Sequence, residues 1–171
     1  GLTNRILKGL SSIIDEIKPD VVLVHADTTT TLSAALSAFY HKIPIGHVEA
    51  GLRSDNIYSP WPEEGNRKLT TALTAFHFCP TVLARDKLLS EGVSHENIHV
   101  TGNTIIDSLS FIGGRIEESS YSSKVVENFL NDFDCSKKLI LVTVHRRENF
   151  GVNLNNICEA ILDLSNSQKN I

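Results

Sequence analysis

The chain alternates short apolar segments, rich in β-branched residues, with longer segments in which apolar residues recur at helical spacing. Residues 6–17 carry one apolar helical face, and Pro19 stops that helix. The apolar run from Val21 to Val24 is typical of a strand buried on both faces of a parallel sheet. Repeated strand–helix units of this kind predict an α/β fold with a parallel sheet, right-handed crossovers and helices on both faces.

The same pattern defines the other elements. The predicted strands are 21–24, 43–48, 76–79, 98–100 and 138–144. The predicted helices are 6–17, 32–39, 62–75, 81–91, 104–116, 124–131 and 154–164. The third of these helices has a clear start signal, because Pro62 is followed directly by Glu63 and Glu64.

A polar stretch rich in Ser and Glu, residues 117–124, is the predicted domain boundary. We assign residues 1–116 to the later part of an N-terminal Rossmann-like domain. Residues 117–171 are assigned to a linker and the first β–α unit of a C-terminal Rossmann-like domain. The chain contains no Met, opens inside a predicted helix and ends directly after another. We therefore expect it to be a fragment of a longer α/β protein.

Composition excludes several classes of function. The 171 residues are 41% hydrophobic and carry 16 basic against 20 acidic side chains, a net charge of −4. No basic stripe is present, which argues against nucleic acid as a partner. No apolar run approaches the ~20 residues that a membrane helix needs, so we predict no membrane partner.

The cysteines and glycines argue against metals and cofactors. Cys79, Cys135 and Cys158 are odd in number and widely spaced, which favours neither a disulfide framework nor a zinc site. They indicate small buried side chains in a reduced, cytoplasmic protein. No G-x-G-x-x-G segment follows a predicted strand, so a dinucleotide role is unsupported, and we predict no cofactor and no metal.

Ionisable side chains follow three of the predicted strands. Asp27 follows the strand at 21–24, Glu49 follows the strand at 43–48, and His145 follows the strand at 138–144. Ligands of open parallel sheets bind outside the carboxyl ends of the strands, and Glu63 and Glu64 could reach the same edge. Carboxylates that share a cleft raise one another's pKa, which suits the removal and return of a proton at carbon.

Each of these residues also has a simpler interpretation. Asp27 could cap the helix that follows it. Glu63 and Glu64 favour the first turn of a helix through its dipole, whatever their function. His145 with Arg146 and Arg147 could form a surface basic patch, or the pair of arginines could serve a phosphate.

Several segments are similar to those of a known enzyme family. In chain order they are HADTTTT (25–31), GHVEAGLR (46–53), PWPEEGNR (60–67), TGNTIID (101–107) and VHRRENFG (144–151). Together they resemble the signature segments of the bacterial, non-hydrolysing UDP-N-acetylglucosamine 2-epimerases. The family commonly has Gly where Ala26 stands; the added methyl group requires a compatible backbone, and we expect a small effect.

The resemblance implies a two-domain fold like that of the glycosyltransferase-B enzymes, with substrate in the interdomain cleft and a homodimer when complete. Carried over by motif, the catalytic residues are Asp27, Glu49, Glu63 and His145. The substrate-binding residues are Asp27, Glu49, His145 and Arg146, with the histidine near the diphosphate. The implied partners are UDP-N-acetylglucosamine and UDP-N-acetylmannosamine, in a family that feeds surface polysaccharides.

The resemblance also implies a mechanism. The hydrogen on C2 of the sugar is not next to a carbonyl carbon, so direct deprotonation would give a poorly stabilised carbanion. The family is expected to eliminate UDP from C1 as the C2 proton leaves, and then to re-add UDP with protonation of the opposite face. We expect these 171 residues alone to have negligible epimerase activity. The alternatives are a nucleotide-sugar glycosyltransferase of the same fold, a hydrolysing epimerase, or an inactive fragment.

Overall fold

The computed structural model describes residues 1–118, 123–131, 134, 136–144 and 149–167, apart from the side chain of Val125. The chain divides into two compact units, Gly1–Ser108 and Leu109–Ile171.

The first unit is a parallel sheet with helices between its strands. The strands are β1 (Val22–His25), β2 (Ile45–Val48), β3 (Phe76–Cys79) and β4 (Ile98–Val100). The helices are α1 (Leu2–Ile17), α2 (Thr29–Tyr40), α3 (Glu63–Leu73) and α4 (Val82–Ser90), and a 3-10 turn spans His95–Asn97. The strands lie in the order β1-β2-β3-β4, and each neighbouring pair is parallel. The predicted parallel α/β fold is confirmed.

One face of this sheet forms the core. Val24, His47, His77 and Ile98 are neighbours in register across the four strands, and all four are buried. This face packs against the small buried side chains of α2 at one end and of α4 at the other. The helices therefore lie on one side of the sheet.

Among the described residues of the first unit, no helix packs on the opposite face. Leu23 is 64% exposed and Phe76 is 42% exposed on that side of the sheet. Successive strands are added in one direction, and right-handed crossovers then bring every intervening helix to the same face. The expectations that helices cover both faces, and that β1 is buried on both, are therefore wrong for the residues described.

The loop after β2 lies tightly against α4. Gly51 has φ +87°, and a Cβ atom there would stand 2.3 Å from the carbonyl oxygen of Ala84. Only glycine has both the left-handed backbone freedom and the absence of a side chain that this contact requires. The contact fixes the segment that begins with Glu49.

The second unit is helical where it is described. Helix α5 (Thr104–Glu117) begins in the first unit, and α6 (Lys124–Asn131) and α7 (Val152–Ser167) follow it, as predicted. The strand predicted at residues 138–144 is wrong: the structure assigns no strand there, and Leu141 is 86% exposed. A strand is stabilised by hydrogen bonds to a neighbouring strand, and the described residues of this unit provide none. The assignment of residues 117–171 to a second Rossmann-like domain stays a prediction.

The structure also tests the predictions made for the cysteines and for membrane-spanning helices. Cys79 is a buried free thiol and Cys158 an exposed one, so the expectation of buried thiols is confirmed for Cys79 and wrong for Cys158. Cys135 lies outside the described residues. Within the described part of the chain, every helix is too short or too polar to cross a membrane.

Candidate active site

Asp27 and Glu49 lie at the same edge of the sheet, immediately after β1 and β2. His25 pairs with Val48 at the ends of these strands, and the backbone N–H of Ala26 donates to the carbonyl oxygen of Val48 at 3.0 Å. This final hydrogen bond between β1 and β2 holds the two turns that follow these strands side by side. The prediction that these two carboxylate residues share the carboxyl edge is confirmed.

Both turns begin with a residue in the left-handed region of the backbone. Ala26 has φ +59° and Glu49 has φ +65°. L-residues with a side chain adopt this conformation at a cost of about 1–2 kcal/mol, so surrounding contacts must hold it. The Nε2 atom of buried His47 lies 2.7 Å from the carbonyl oxygen of Ala26 and is one such contact.

The carboxylate of Asp27 is held by Arg67 and does not cap α2. Arg67 donates to Asp27 Oδ2 from Nε at 2.9 Å and from Nη2 at 2.6 Å. The cap of α2 is Thr28, whose hydroxyl oxygen accepts from the backbone N–H of Thr31 at 3.2 Å. Asn66 donates its side-chain amide to the Asp27 carbonyl oxygen at 2.7 Å. The capping interpretation of Asp27 is therefore wrong.

Glu64 binds the other side of the same guanidinium group. It is fully buried, and its Oε2 accepts from Arg67 Nη1 at 2.8 Å and from the backbone N–H of Ser54 at 3.1 Å. Burial alone would lower the pKa of Arg67, but the hydrogen bonds that Arg67 donates to Glu64 and Asp27 outweigh burial and raise that pKa. Arg67 thus stays charged between two carboxylates.

Glu49 and Glu63 flank this cluster. Glu49 Oε2 lies 3.7 Å from Nε2 of His25, and the two side chains are 25% and 58% exposed. Glu63 is the first residue of α3 and is partly buried. It stands one helical turn before Arg67, so both side chains lie on one face of α3. The carboxylates at this edge of the sheet therefore lie in different environments, and the side chain of Glu49 is accessible to a ligand.

A second ion pair lies behind the site, on the α4 side of the loop after β2. Arg53 has a fully buried side chain and donates to Glu91 from Nε at 2.8 Å and from Nη2 at 2.7 Å. These hydrogen bonds lower the pKa of Glu91 to about 2. The pair ties the loop that carries Glu49 to the carboxyl end of α4.

Sequence reasoning found some of these residues and missed others. Arg67 was included in a family motif but was not predicted to be a site residue. Its position three and four residues after two glutamates on a helix indicates side-chain pairing and could have identified it. His145 and Arg146 lie outside the described residues, so their predicted roles stay predictions. The described part of the chain contains no cluster of three or more potential metal ligands.

A parallel α/β sheet with helices between its strands is a Rossmann-like domain, and ligands of such domains bind at the edge where these carboxylates lie. The chain belongs to the UDP-N-acetylglucosamine 2-epimerase family, whose sequence profile matches residues 1–171.

Individual relatives agree with this assignment. UDP-N-acetylglucosamine 2-epimerase of Yersinia pestis is 51% identical over 164 residues, which are 96% of this chain and 44% of that protein. The Escherichia coli K12 enzyme is 50% identical over 171 residues, 99% of this chain and 45% of that protein. The chain therefore spans a little under half the length of the curated relatives it matches.

Solved structures show the same fold. The crystal structure of UDP-GlcNAc 2-epimerase from Neisseria meningitidis bound to UDP-GlcNAc matches with a TM-score of 0.89 and 43% identity. The match covers 99% of this chain and 45% of that one. The Methanocaldococcus jannaschii enzyme in complex with UDP-GlcNAc and UDP matches with a TM-score of 0.80 and 39% identity, over 94% of this chain and 43% of that one.

Proposed function

We propose that the protein carrying this chain interconverts UDP-N-acetylglucosamine and UDP-N-acetylmannosamine by inverting C2. The observation that carries the proposal is the placement of the Asp27 carboxylate. Arg67 holds it at the carboxyl edge of the sheet next to Glu49, while Thr28 takes over the capping of α2. A carboxylate that lies at this edge and does not cap a helix is available to a bound substrate.

The relatives give the substrate class. The Neisseria meningitidis structure has UDP-GlcNAc bound, and the chain matches nearly the whole of its own length to it. We infer that UDP-N-acetylglucosamine and UDP-N-acetylmannosamine are the two partners of the site. The complete protein is proposed to be a cytoplasmic homodimer, and the isolated chain to have negligible activity, since it spans 45% of such enzymes.

The chemistry follows from the substrate. A carboxylate takes the C2 proton, the C1–O bond breaks with its electron pair going to the diphosphate, and a 2-acetamidoglucal and UDP result. Re-addition of UDP to C1, with a proton delivered to the opposite face of C2, completes the inversion. We assign the proton transfers to Asp27, Glu49 and Glu63, acting as positioned acids and bases. His145 and Arg146 are proposed to stabilise the charge on the leaving diphosphate.

Proton NMR of UDP-N-acetylglucosamine in D2O, with the complete gene product, tests the proposal. Deuterium entering C2 together with a UDP-N-acetylmannosamine signal is the expected result. Free N-acetylmannosamine and UDP would instead indicate a hydrolysing epimerase. A folded protein that binds the nucleotide sugar without exchanging its C2 hydrogen would refute epimerisation and favour a glycosyltransferase.

A further inference from the structure

We propose that Arg67, anchored by buried Glu64, is a positioning residue that aims the Oδ1 atom of Asp27 at the C2 hydrogen of the substrate. The inference rests on the proposed epimerase function and assigns the reacting oxygen within it. It also gives Glu64 a role distinct from that of its neighbour Glu63.

The hydrogen bonds on Asp27 distinguish its two carboxylate oxygens. Both donors from Arg67, Nε and Nη2, converge on Oδ2. Among the hydrogen bonds of the described residues, none is made to Oδ1. Each carboxylate oxygen has two lone pairs. Oδ2 is thus occupied by the guanidinium group, and Oδ1 is the oxygen free to take or return a proton.

Glu64 fixes the guanidinium group that fixes Asp27. Arginine has a long side chain with several rotatable bonds, and one ion pair alone would leave it several arrangements. Glu64 Oε2 accepts both Arg67 Nη1 and the backbone N–H of Ser54, which lies on the loop that begins with Glu49. Arg67 and Glu64 therefore link helix α3 to the two turns that carry Asp27 and Glu49.

Stability alone does not account for this arrangement. Glu64 is fully buried, and its Oε1 has no hydrogen-bond partner within the described part of the chain. Burying an unsatisfied carboxylate oxygen is unfavourable, and buried ion pairs are often no more stable than apolar residues of the same volume. A role in holding two reacting carboxylates in register explains why such a pair occupies this position.

The first variant is Arg67→Lys in the complete gene product. Lysine keeps the positive charge but loses the rigid, two-pronged donor. We expect kcat to fall ~100-fold while KM for UDP-N-acetylglucosamine and the binding of UDP stay unchanged, because misplacing a reacting group by about 1 Å can have an effect of this size. The second variant is Arg67→Gly, in which added guanidinium chloride should restore part of kcat and sodium chloride at equal ionic strength should not.

Controls separate positioning from general destabilisation. Ile14→Ala shortens a buried side chain of α1 that lies with Pro19 and Ile43, before the start of β1 and β2, and should lower the thermal midpoint while leaving kcat unchanged. Glu64→Gln keeps the shape of the anchor, and should lower kcat even if the Arg67 variants fail to fold. Normal kcat in Arg67→Lys or in Glu64→Gln would overturn the inference, as would an equal loss of kcat in Ile14→Ala. If the parent protein exchanges C2 hydrogen and the variants are unaffected, the proposed function stands and only the positioning role fails.

Discussion

His47 and His77 lie side by side on β2 and β3, in register, with both imidazoles buried. The Nδ1 atom of each has no hydrogen-bond partner within the described residues. Burial lowers the pKa of both rings, that of His77 to about 4, and the proximity of His47 and the charge of Arg53 add to the shift at His77. Two neutral imidazoles therefore form part of the core below the candidate site.

The first prediction concerns acid stability. His77 binds a proton at pH 6.5 when unfolded but only near pH 4 when folded, so between these values the unfolded state binds more protons. The contribution of neutral His77 to stability is therefore complete above pH 6.5. As the pH falls towards 4, the free energy of unfolding decreases by up to about 3 kcal/mol. Urea unfolding across this range checks it. In His77→Gln the slope should be smaller; an identical slope would show that the ring does not carry the effect.

The second prediction concerns the ion pair between the buried guanidinium group of Arg53 and the partly exposed carboxylate of Glu91. Glu91→Gln removes the charge that compensates this guanidinium group, and should reduce the free energy of unfolding by about 1–2 kcal/mol at neutral pH, less than for a fully buried pair because the Glu91 side chain is 29% exposed. Because folding lowers the pKa of Glu91 from 4.5 to about 2, its contribution is present above pH 4.5 and is lost as the pH falls through 2.

The matched control for Glu91 is Asp86→Asn. Asp86 is half exposed and pairs with its neighbour Arg85 at 2.7 Å, so its loss should change stability by less than about 0.5 kcal/mol. Chemical unfolding of both variants gives the comparison. Equal effects at the two positions would contradict the conclusion that the ion pair of Arg53 and Glu91 fixes the loop.

The third prediction concerns Ala26. Its φ of +59° suits glycine, so Ala26→Gly should relieve backbone strain and raise the free energy of unfolding by up to about 1 kcal/mol. The same substitution at Ala72, an exposed position within α3, should lower it by about 1 kcal/mol. Opposite signs for one chemical change isolate the backbone effect, and a loss at both positions would refute it.

The fourth prediction tests the proposed role of Asp27. Asp27→Asn in the complete protein should leave the fold intact but lower C2 exchange in D2O by ~100-fold or more, the usual range for a lost acid–base group. Asp55→Asn, at an exposed ion pair with Lys87, should retain full exchange. Exchange by the Asp27 variant at the parental rate would exclude this residue from proton transfer.

Local sequence predicted the order of elements, because strand and helix periodicities are properties of adjacent residues. It placed Asp27 and Glu49 correctly, since both follow strands whose parallel pairing brings their carboxyl ends together. It could not choose between Asp27 and Thr28 as the cap of α2, because both residue types cap well. That choice depends on Arg67, which is 40 positions from Asp27 in the chain.

The strand predicted at 138–144 failed for a related reason. Its β-branched and apolar residues have the right local preference, but pairing depends on which strands lie alongside. The prediction that Leu23 is buried was wrong for the same reason. Leu23 is exposed because the strands are added to the sheet in one direction, which brings the intervening helices to the other face. Periodicity predicts that a segment has an apolar side, and only the tertiary structure shows what covers that side.

The uncovered face of the sheet has a practical consequence. Leu23 and Phe76 present apolar surface from β1 and β3, on either side of Gly46, which has no side chain on this face. Open apolar surface of this kind binds hydrophobic dyes and promotes precipitation in monomeric proteins. We therefore expect these 171 residues, when purified by themselves, to aggregate readily in solution, even though the other face of the sheet forms a packed core.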